Sequence, residues 1–575
     1  MVTLSGGVTL RVGGVAFISR TPLRPLLVTA ALLIAARALL GAASFARARA
    51  QAIGSREQRP ARIAVVLSLA VFVFTAAWNT WAAGGSDSSC YVLQADAFAH
   101  GRVTLPPPLP EWPPGLAAAA FAPAGFLPSG RTLGEAVPIC GPGLALAMAL
   151  PSLIHRDAVF LVVPFTAALL VWFTFAFGRL LAGDRVAVCA AAWLAASPIF
   201  LYQAVQPMSD VPAAAAWLAA LVYAARGSRR DWLVAGVCAS LAILTRANLA
   251  LIVLPLLLLK NGDSPHFERG KQGVSPFLWF AAGLAPGVLV MLALNVARYG
   301  GPLASGYGDT GVLFAWAHVA PNLARYPRWL LETQTPIVLL ALGAPWIVRR
   351  DPTRFRLVVV SLTAVALLIG TYLAYTVFND WWYIRFLLPA LPVLIVCATL
   401  VLARMFEALP PYASRHALPI AAALLAGFSL DVAGAHHVFQ IQGLEARFRL
   451  TGEYTRYLPA NIVMLAAQQS GSVRYHGGRA TLAWDAIAPG ELDAVIAWFR
   501  AHGRLPLIAV EDQETERFRS RFGDAAEVGH LDWPPDVEVH GRVRVRIFNP
   551  ARRVEYKEGG QMTTEHIRSE AGSRD

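Results

Sequence analysis

The chain has 575 residues, of which 56% are hydrophobic and 15% charged, with a formal net charge of +13. That balance is too apolar and too poor in charge for a soluble globular chain of this length. The cations are dispersed between apolar stretches and form no basic stripe, which argues against a nucleic-acid partner and makes the lipid bilayer the expected one.

In chain order, residues 1–24 show neither a targeting pattern nor an evident element. The segment 26–45 is apolar but holds Arg37, so it reads as a helix lying on the membrane face, a twelfth span or an upstream extension of the reading frame, the first being favoured. Residues 1–62 are therefore taken as a cytoplasmic or interfacial segment. From there, apolar runs follow at 63–83, 158–181, 186–204, 211–225, 232–244, 249–259, 277–296, 336–348, 357–378, 386–403 and 418–432. Their lengths approach the roughly 20 residues that span a hydrocarbon core, giving about eleven crossings within residues 63–434.

Arg and Lys alternate between the connectors. One side carries Arg47, Arg49, Arg56, Arg59 and Arg62, then Arg179 and Arg185, Arg226, Arg229 and Arg230, Lys260, Arg269 and Lys271, Arg349, Arg350, Arg354 and Arg356, and Arg404 and Arg415. This side reads as cytoplasmic, in a multi-pass protein of an inner or plasma membrane. The opposite connectors are longer and richer in Pro, Trp and Tyr. The largest, 84–156, is Pro-rich and has room for short interfacial helices; the second, 298–335, is polar and aromatic.

After Gly434 the composition becomes that of an ordinary soluble domain. Residues 461–467 and 505–510 read as buried strands, 491–502 and 515–522 as amphipathic helices, and 537–548 as a terminal strand or hairpin. A small α/β domain over 435–550 is expected, outside the cytoplasm, followed by a disordered tail at 551–575. It shows no nucleotide loop, and a structural or acceptor-guiding cap is its plainest role.

Of the five cysteines, Cys189, Cys238 and Cys397 lie in apolar runs, where small thiols pack as core. Cys90 and Cys140 share the first outer loop, where an oxidising compartment would allow them to pair.

The candidate chemistry gathers on the non-cytoplasmic side. Gly84, Gly85, Ser86, Asp87, Ser88, Ser89, Cys90 and Tyr91 put a carboxylate at the membrane surface, either as a general base tuned by partial burial or as a plain helix cap. Gln203, Gln206, Pro207, Met208, Ser209 and Asp210 form a second such turn, again with a cap as the alternative. Two ionisable turns at membrane depth are costly unless used. Arg246, between Thr245 and Asn248, and Arg385, after Asp380, Trp381, Trp382 and Tyr383, are cations on the same side. They either pair with carboxylates as structure or hold a lipid-borne phosphate in a bidentate fork. Tyr91, Gln206, Tyr307 and Trp382 are the accompanying candidate substrate contacts.

In these features the sequence resembles the GT-C glycosyltransferases, in the branch with protein O-mannosyltransferases and the lipid A aminoarabinose transferase. The resemblance rests on Asp87 with Tyr91 four residues on, Gly101, the Asp210 turn after Ser197 and Pro198, Arg246, and the segment from Arg385 through Phe386, Pro389 and Pro392. It implies an α-helical polytopic enzyme that moves one sugar, with inversion, from a polyprenyl-phosphate carrier to an extracytoplasmic acceptor. Asp87 would be the acceptor-activating base, Asp210 a second active-site carboxylate, and Arg246 and Arg385 the phosphate ligands. Ser88 stands where many relatives have Glu, so a divalent metal is neither required nor excluded, and no metal ligand is assigned. A ligase or polymerase of lipid-linked glycans, a transporter, and a membrane scaffold are the alternatives. Against the transporter, the ionisable residues gather on one face and no repeat is evident.

Overall fold

The computed structural model describes residues 8–12, 15–19, 59–259, 275–308, 310–541 and 543–568. Each of the eleven apolar runs falls on helical structure. The segment 26–45 lies outside the described residues, whereas the first 24 residues, from which no element was expected, contain an antiparallel pair, β1 (Val8–Val12) and β2 (Val15–Ser19).

By length and composition, the described residues hold five helices able to cross a membrane, or eight if each of three bent pairs is one crossing. The expected eleven is reached only by adding Asp210–Arg226, Arg229–Thr245 and Ala247–Leu259, which sit at or below the length a hydrocarbon core requires. The apolar helices leave much of their surface uncovered by protein. Val66, Leu289 and Leu424 are 66%, 64% and 69% exposed, which for side chains of this kind means contact with lipid rather than water.

The bends matter because they create the ends at which polar residues gather. Helix Asp184–Ala196 turns by 63° into Pro198–Ala204 at the Ser197–Pro198 step, where proline cannot continue the hydrogen-bond ladder. The short helix Trp381–Leu387 meets Leu391–Phe406 at 85°, and Trp316–Gln334 meets Pro336–Val348 at 102°. The connectors are also more ordered than their composition suggests. Region 84–156 contains helices Gly85–Ala99 and Pro142–Ser152 and the hairpin β3 (Phe126–Pro128) and β4 (Ala136–Pro138). In the 298–335 region, helix Val319–Gln334 buries Tyr326 and Trp329.

Close packing in the bundle depends on small residues. The helices Arg229–Thr245 and Pro276–Tyr299 cross at Gly236 and Gly283; a Cβ on Gly236 would come within 2.2 Å of the Phe280 carbonyl oxygen, and one on Gly283 within 2.2 Å of that of Leu233. This small-against-small contact is how apolar helices associate where lipid removes the hydrophobic driving force.

After helix Pro411–Ala435 and helix Ile441–Tyr457 comes the soluble domain. Its strands are β5 (Ile462–Ala466), β6 (Ala480–Leu482), β7 (Leu505–Glu511), β8 (Val537–His540), β9 (Val545–Phe548) and β10 (Glu565–Arg568), ordered β10-β8-β9-β7-β5-β6. Neighbours β5 and β7 pair in parallel, and β7 and β9 antiparallel. Alternate residues of β5 and β7 face opposite cores: Val463, Leu465, Ile508 and Val510 pack with helices Leu492–Ala501 and Asp512–Phe522, and Ile462, Met464, Leu507 and Ala509 pack toward helix Ile441–Tyr457. Strands covered on both faces read as continuous apolar runs, which is why these two were legible. The expected disordered tail is corrected: helix Arg552–Lys557 and strand β10 follow residue 551, and β10 adds to the sheet in parallel with β8.

The same substitution at two helical glycines separates packing from propensity. Gly283→Ala is expected to destabilise by roughly 1–3 kcal/mol through overpacking, whereas Gly427→Ala, with nothing within 4 Å of its Cβ, should be neutral or slightly stabilising. Thermal unfolding of the two variants in detergent measures the contrast.

Candidate active site

Asp87 lies in the first turn of helix Gly85–Ala99. Three neighbours fix that turn. Gly84 faces Phe448 and Glu445 of helix Ile441–Tyr457 so closely that a Cβ would meet the Phe448 ring at 2.5 Å, and Gly85 takes a positive φ of 56°. Ser89 Oγ donates to the Ala124 carbonyl (2.9 Å), and the Ala124 amide donates to Ser470 Oγ (2.9 Å) of the soluble domain. The Ala83 amide donates to Nε2 of the buried His476 (3.1 Å). The C-terminal domain is thus part of the scaffold that aims Asp87.

One turn after Asp87, Cys90 is joined to Cys140 by a disulfide. The chain beyond Cys140 runs directly against the end of helix Arg229–Thr245. A Cβ on Gly143 would lie 2.4 Å from the Thr245 amide nitrogen, and one on Gly141 2.8 Å from the Thr245 carbonyl oxygen. Thr245 precedes Arg246, so a continuous covalent and packing path connects the Asp87 turn to the Arg246 turn.

Asp210 opens helix Asp210–Arg226 and is fully buried. Its Oδ1 lies 2.7 Å from a terminal nitrogen of Arg246, yet neither carboxylate oxygen has a well-directed hydrogen bond. The contact is therefore an ion pair set off the hydrogen-bonding direction, supported by the positive end of the helix. Arg246 Nε donates to Ser209 Oγ (3.1 Å), which also accepts from the Tyr91 hydroxyl (2.8 Å). Arg246 and Asn248 both donate to the Tyr372 hydroxyl, at 3.3 and 2.8 Å.

Asp87 is paired as well: its Oδ2 accepts from Arg385 at 2.8 Å. The side chain of Asp87 is 46% exposed and that of Arg385 13%. The two pairs meet at one ring, because the guanidinium groups of Arg385 and Arg246 lie 5.3 and 5.6 Å from the centre of Phe386. Tyr372 stacks on the same ring at 4.8 Å. Arg385 also lies within Coulombic reach of Asp210, so the four charges act as one cluster. Among the described residues, Nε of Arg385 is buried without a hydrogen-bond partner.

The remaining candidates divide. Tyr307 is half exposed and lies where the charges of Asp87 and Arg246 reach it, with desolvation first among the effects that push its phenol up. Its loop is seated by Gly306, whose Cβ would be 2.6 Å from Ile139 Cα. Gln206 and Trp382 are grouped instead around Tyr202: Gln206 donates to the Tyr202 carbonyl (2.8 Å) and Trp382 stacks on the Tyr202 ring at 6.2 Å. Ser209, Tyr372 and Phe386 join the cluster without having been singled out for it. Tyr372 sits inside an apolar run and Phe386 at the edge of one, so nothing in the pattern separated them from core, whereas Ser209 adjoins Asp210 and shared its turn.

Ile384, Leu387, Leu388 and Leu391, close to Arg385 in sequence, line a small cavity between helices together with Ile199 and Leu330, and Thr333 and Gln334 complete its wall.

A family model and several solved structures are similar to this chain. Residues 137–264 match the family described as dolichyl-phosphate-mannose-protein mannosyltransferase. The ArnT protein of Cupriavidus metallidurans bound to undecaprenyl phosphate is similar in structure, with 12% identity and a TM-score of 0.52, over 85% of this chain and 97% of that one. Its apo form gives 14% identity and a TM-score of 0.46 over the same shares. An oligosaccharyltransferase of Archaeoglobus fulgidus, tethered with an acceptor peptide, gives 10% and 0.48 over 84% of this chain and 72% of that one. No curated protein matches in sequence.

His476 supplies a test of the scaffold. Burial, followed by the nearby cations Arg449, Arg156 and Arg456, pushes its imidazole down to about 3. Stability from the neutral ring is present above the ordinary value near 6.5 and falls as pH drops from there toward 3, by roughly 1.4 kcal/mol per pH unit. Glu514, raised to about 7 chiefly by burial, acts in the opposite sense, so the measurement is the difference between wild type and His476→Gln. That difference should shrink from pH 7 to pH 5 in thermal unfolding.

Proposed function

We propose that this multi-pass membrane protein, a glycosyltransferase of the GT-C type, transfers one monosaccharide from a polyprenyl-phosphate carrier to an acceptor outside the cytoplasm. The observation that carries the reading is the convergence of Asp87–Arg385 and Asp210–Arg246 on Phe386. A carrier has the matching parts: an anionic phosphate for the guanidinium groups and an apolar tail for the lipid-exposed faces of the helices. The structural likeness to a protein bound to undecaprenyl phosphate supports the same class of carrier here.

In this reading the donor phosphate competes with Asp87 for Arg385. The unpartnered Nε of Arg385 offers a further donor to that phosphate. Released from Arg385, Asp87 accepts the proton of the acceptor hydroxyl while the acceptor oxygen bonds to the anomeric carbon. The bond from that carbon to the phosphate oxygen breaks, and polyprenyl phosphate leaves with both electrons of that bond, its charge held by Arg246 and Arg385. Attack opposite the leaving group inverts the anomeric centre. Asp210 holds Arg246 in place, and Tyr91 and Tyr307 line the approach to Asp87.

The chemistry of the same loop supports a site outside the cytoplasm. A Cys90–Cys140 disulfide one turn from Asp87 is favoured on the oxidising side of a plasma or inner membrane. The soluble domain, bonded to the Asp87 turn, would share that side and shape the acceptor's approach.

Asp87→Asn should reduce transfer from a panel of polyprenyl-phosphate sugars by 10²-fold or more, a typical general-base effect, while retaining carrier binding. Arg385→Ala should weaken carrier binding itself. Purified protein, radiolabelled donor and thermal unfolding as a folding control measure all three; wild-type turnover in Asp87→Asn would refute the assignment.

A further inference from the structure

At the far edge of the C-terminal sheet, three side chains from two strands turn toward one point. The parallel register sets His566 of β10 beside Glu538 of β8, and Arg568 beside His540. Val537 and Val539 are buried in the core toward helix Ile441–Tyr457, so the alternation of the strand places Glu538 and His540 together on the opposite face.

The distances are those of a coordination triangle. His540 Nε2 and His566 Nδ1 are 2.9 Å apart, and Glu538 Oε2 is 3.6 Å from each. The point equidistant from these three atoms lies about 2.0 Å from each, the length of a zinc bond to imidazole nitrogen or carboxylate oxygen. A tetrahedral ion would sit just out of their plane, with its fourth position toward solvent, where His566 is half exposed. The other carboxylate oxygen of Glu538 accepts from Arg546 Nε (3.0 Å), and Arg546 is itself held by Asp512 at 2.7 Å. That outer contact orients Oε2 toward the two imidazoles, the support that ligating carboxylates ordinarily have.

We propose that Glu538, His540 and His566 form a binding site for a divalent transition metal of the zinc class, which clips strand β10 to the sheet. Two imidazoles and one carboxylate select Zn²⁺, Co²⁺, Ni²⁺ or Cu²⁺ over Mg²⁺ and Ca²⁺, which prefer oxygen ligands throughout. The facing nitrogens hydrogen-bond to one another, so a metal ion taking their place displaces the one proton between them. The mechanical need is plain: β10 is a four-residue strand at a sheet edge, and a bond across β8 and β10 resists its fraying. The site is independent of the sugar-transfer reading, since it uses none of the residues around Phe386.

The experiment uses the full chain in detergent, carrying no polyhistidine tag, stripped with chelator and titrated with Co²⁺ in excess Mg²⁺. Wild type should bind one equivalent more than the His540→Gln, His566→Gln double variant, with the visible bands of tetrahedral Co²⁺, and Zn²⁺ should displace them. Glu538→Gln, which keeps both imidazoles, should bind roughly tenfold or more weakly. As a second readout, Zn²⁺ should retain the fragment beyond Lys557 on the protein after lysine-specific cleavage in wild type only. Equal Co²⁺ binding and equal fragment release in wild type and double variant would overturn the proposal and leave a simple imidazole hydrogen bond between the two strands.

Discussion

Two carboxylates held at the rim of an apolar bundle need a cation each, because a lone charge removed from water is far more costly than a paired one. Asp210 is fully buried and has Arg246; Asp87 is half exposed and has Arg385. The asymmetry gives the pairs different work. The first pair sits buried at a helix start, tied to Ser209 and Tyr372, whereas in the second Asp87 reaches water while Arg385 stays largely buried. Both guanidinium groups lie against Phe386, so in the proposed reaction an anion arriving at Arg385 also meets the field of Arg246.

The geometry of this cluster is held from well outside it. The Cys90–Cys140 disulfide and the glycine contacts at Gly141 and Gly143 carry the position of the Asp87 helix to Thr245, next to Arg246. From the other direction, Phe448, Ser470 and His476 of the C-terminal region close on Gly84, Ala124 and Ala83. The soluble domain is therefore continuous with the site scaffold, and its removal would free the turn that carries the carboxylate. Bends at Ser197–Pro198 and beyond Leu387 bring Gln206, Trp382 and Arg385 to the same rim.

Much of this was legible because membrane burial writes long, unbroken signals. Apolar runs located the helices, and rare charges among them located Asp87, Asp210, Arg246 and Arg385. The pairing of those charges was not legible, since Asp87 and Arg385 are almost 300 residues apart and only the fold sets them side by side. Phe386 and Tyr372 were hidden for a different reason: in an apolar run an aromatic that stacks under a guanidinium looks like one that packs on a neighbour. In the soluble domain β5 and β7 stood out as doubly buried strands, whereas β10 did not, because a four-residue edge strand with the sequence Glu-His-Ile-Arg has almost no apolar signature. The crossing count was least legible at the shortest helices, where Asp210 and Arg246 interrupt the apolar stretch.

In the proposed reaction a carrier phosphate takes Arg385 from Asp87. A structure of the protein with a polyprenyl phosphate bound measures this directly. The expected result is the phosphate within hydrogen-bonding distance of Arg385 and Arg246, the tail on the lipid-exposed surface of the helices, and the Asp87–Arg385 contact opened from its 2.8 Å. A phosphate seated elsewhere, or bound with that ion pair intact, would contradict it.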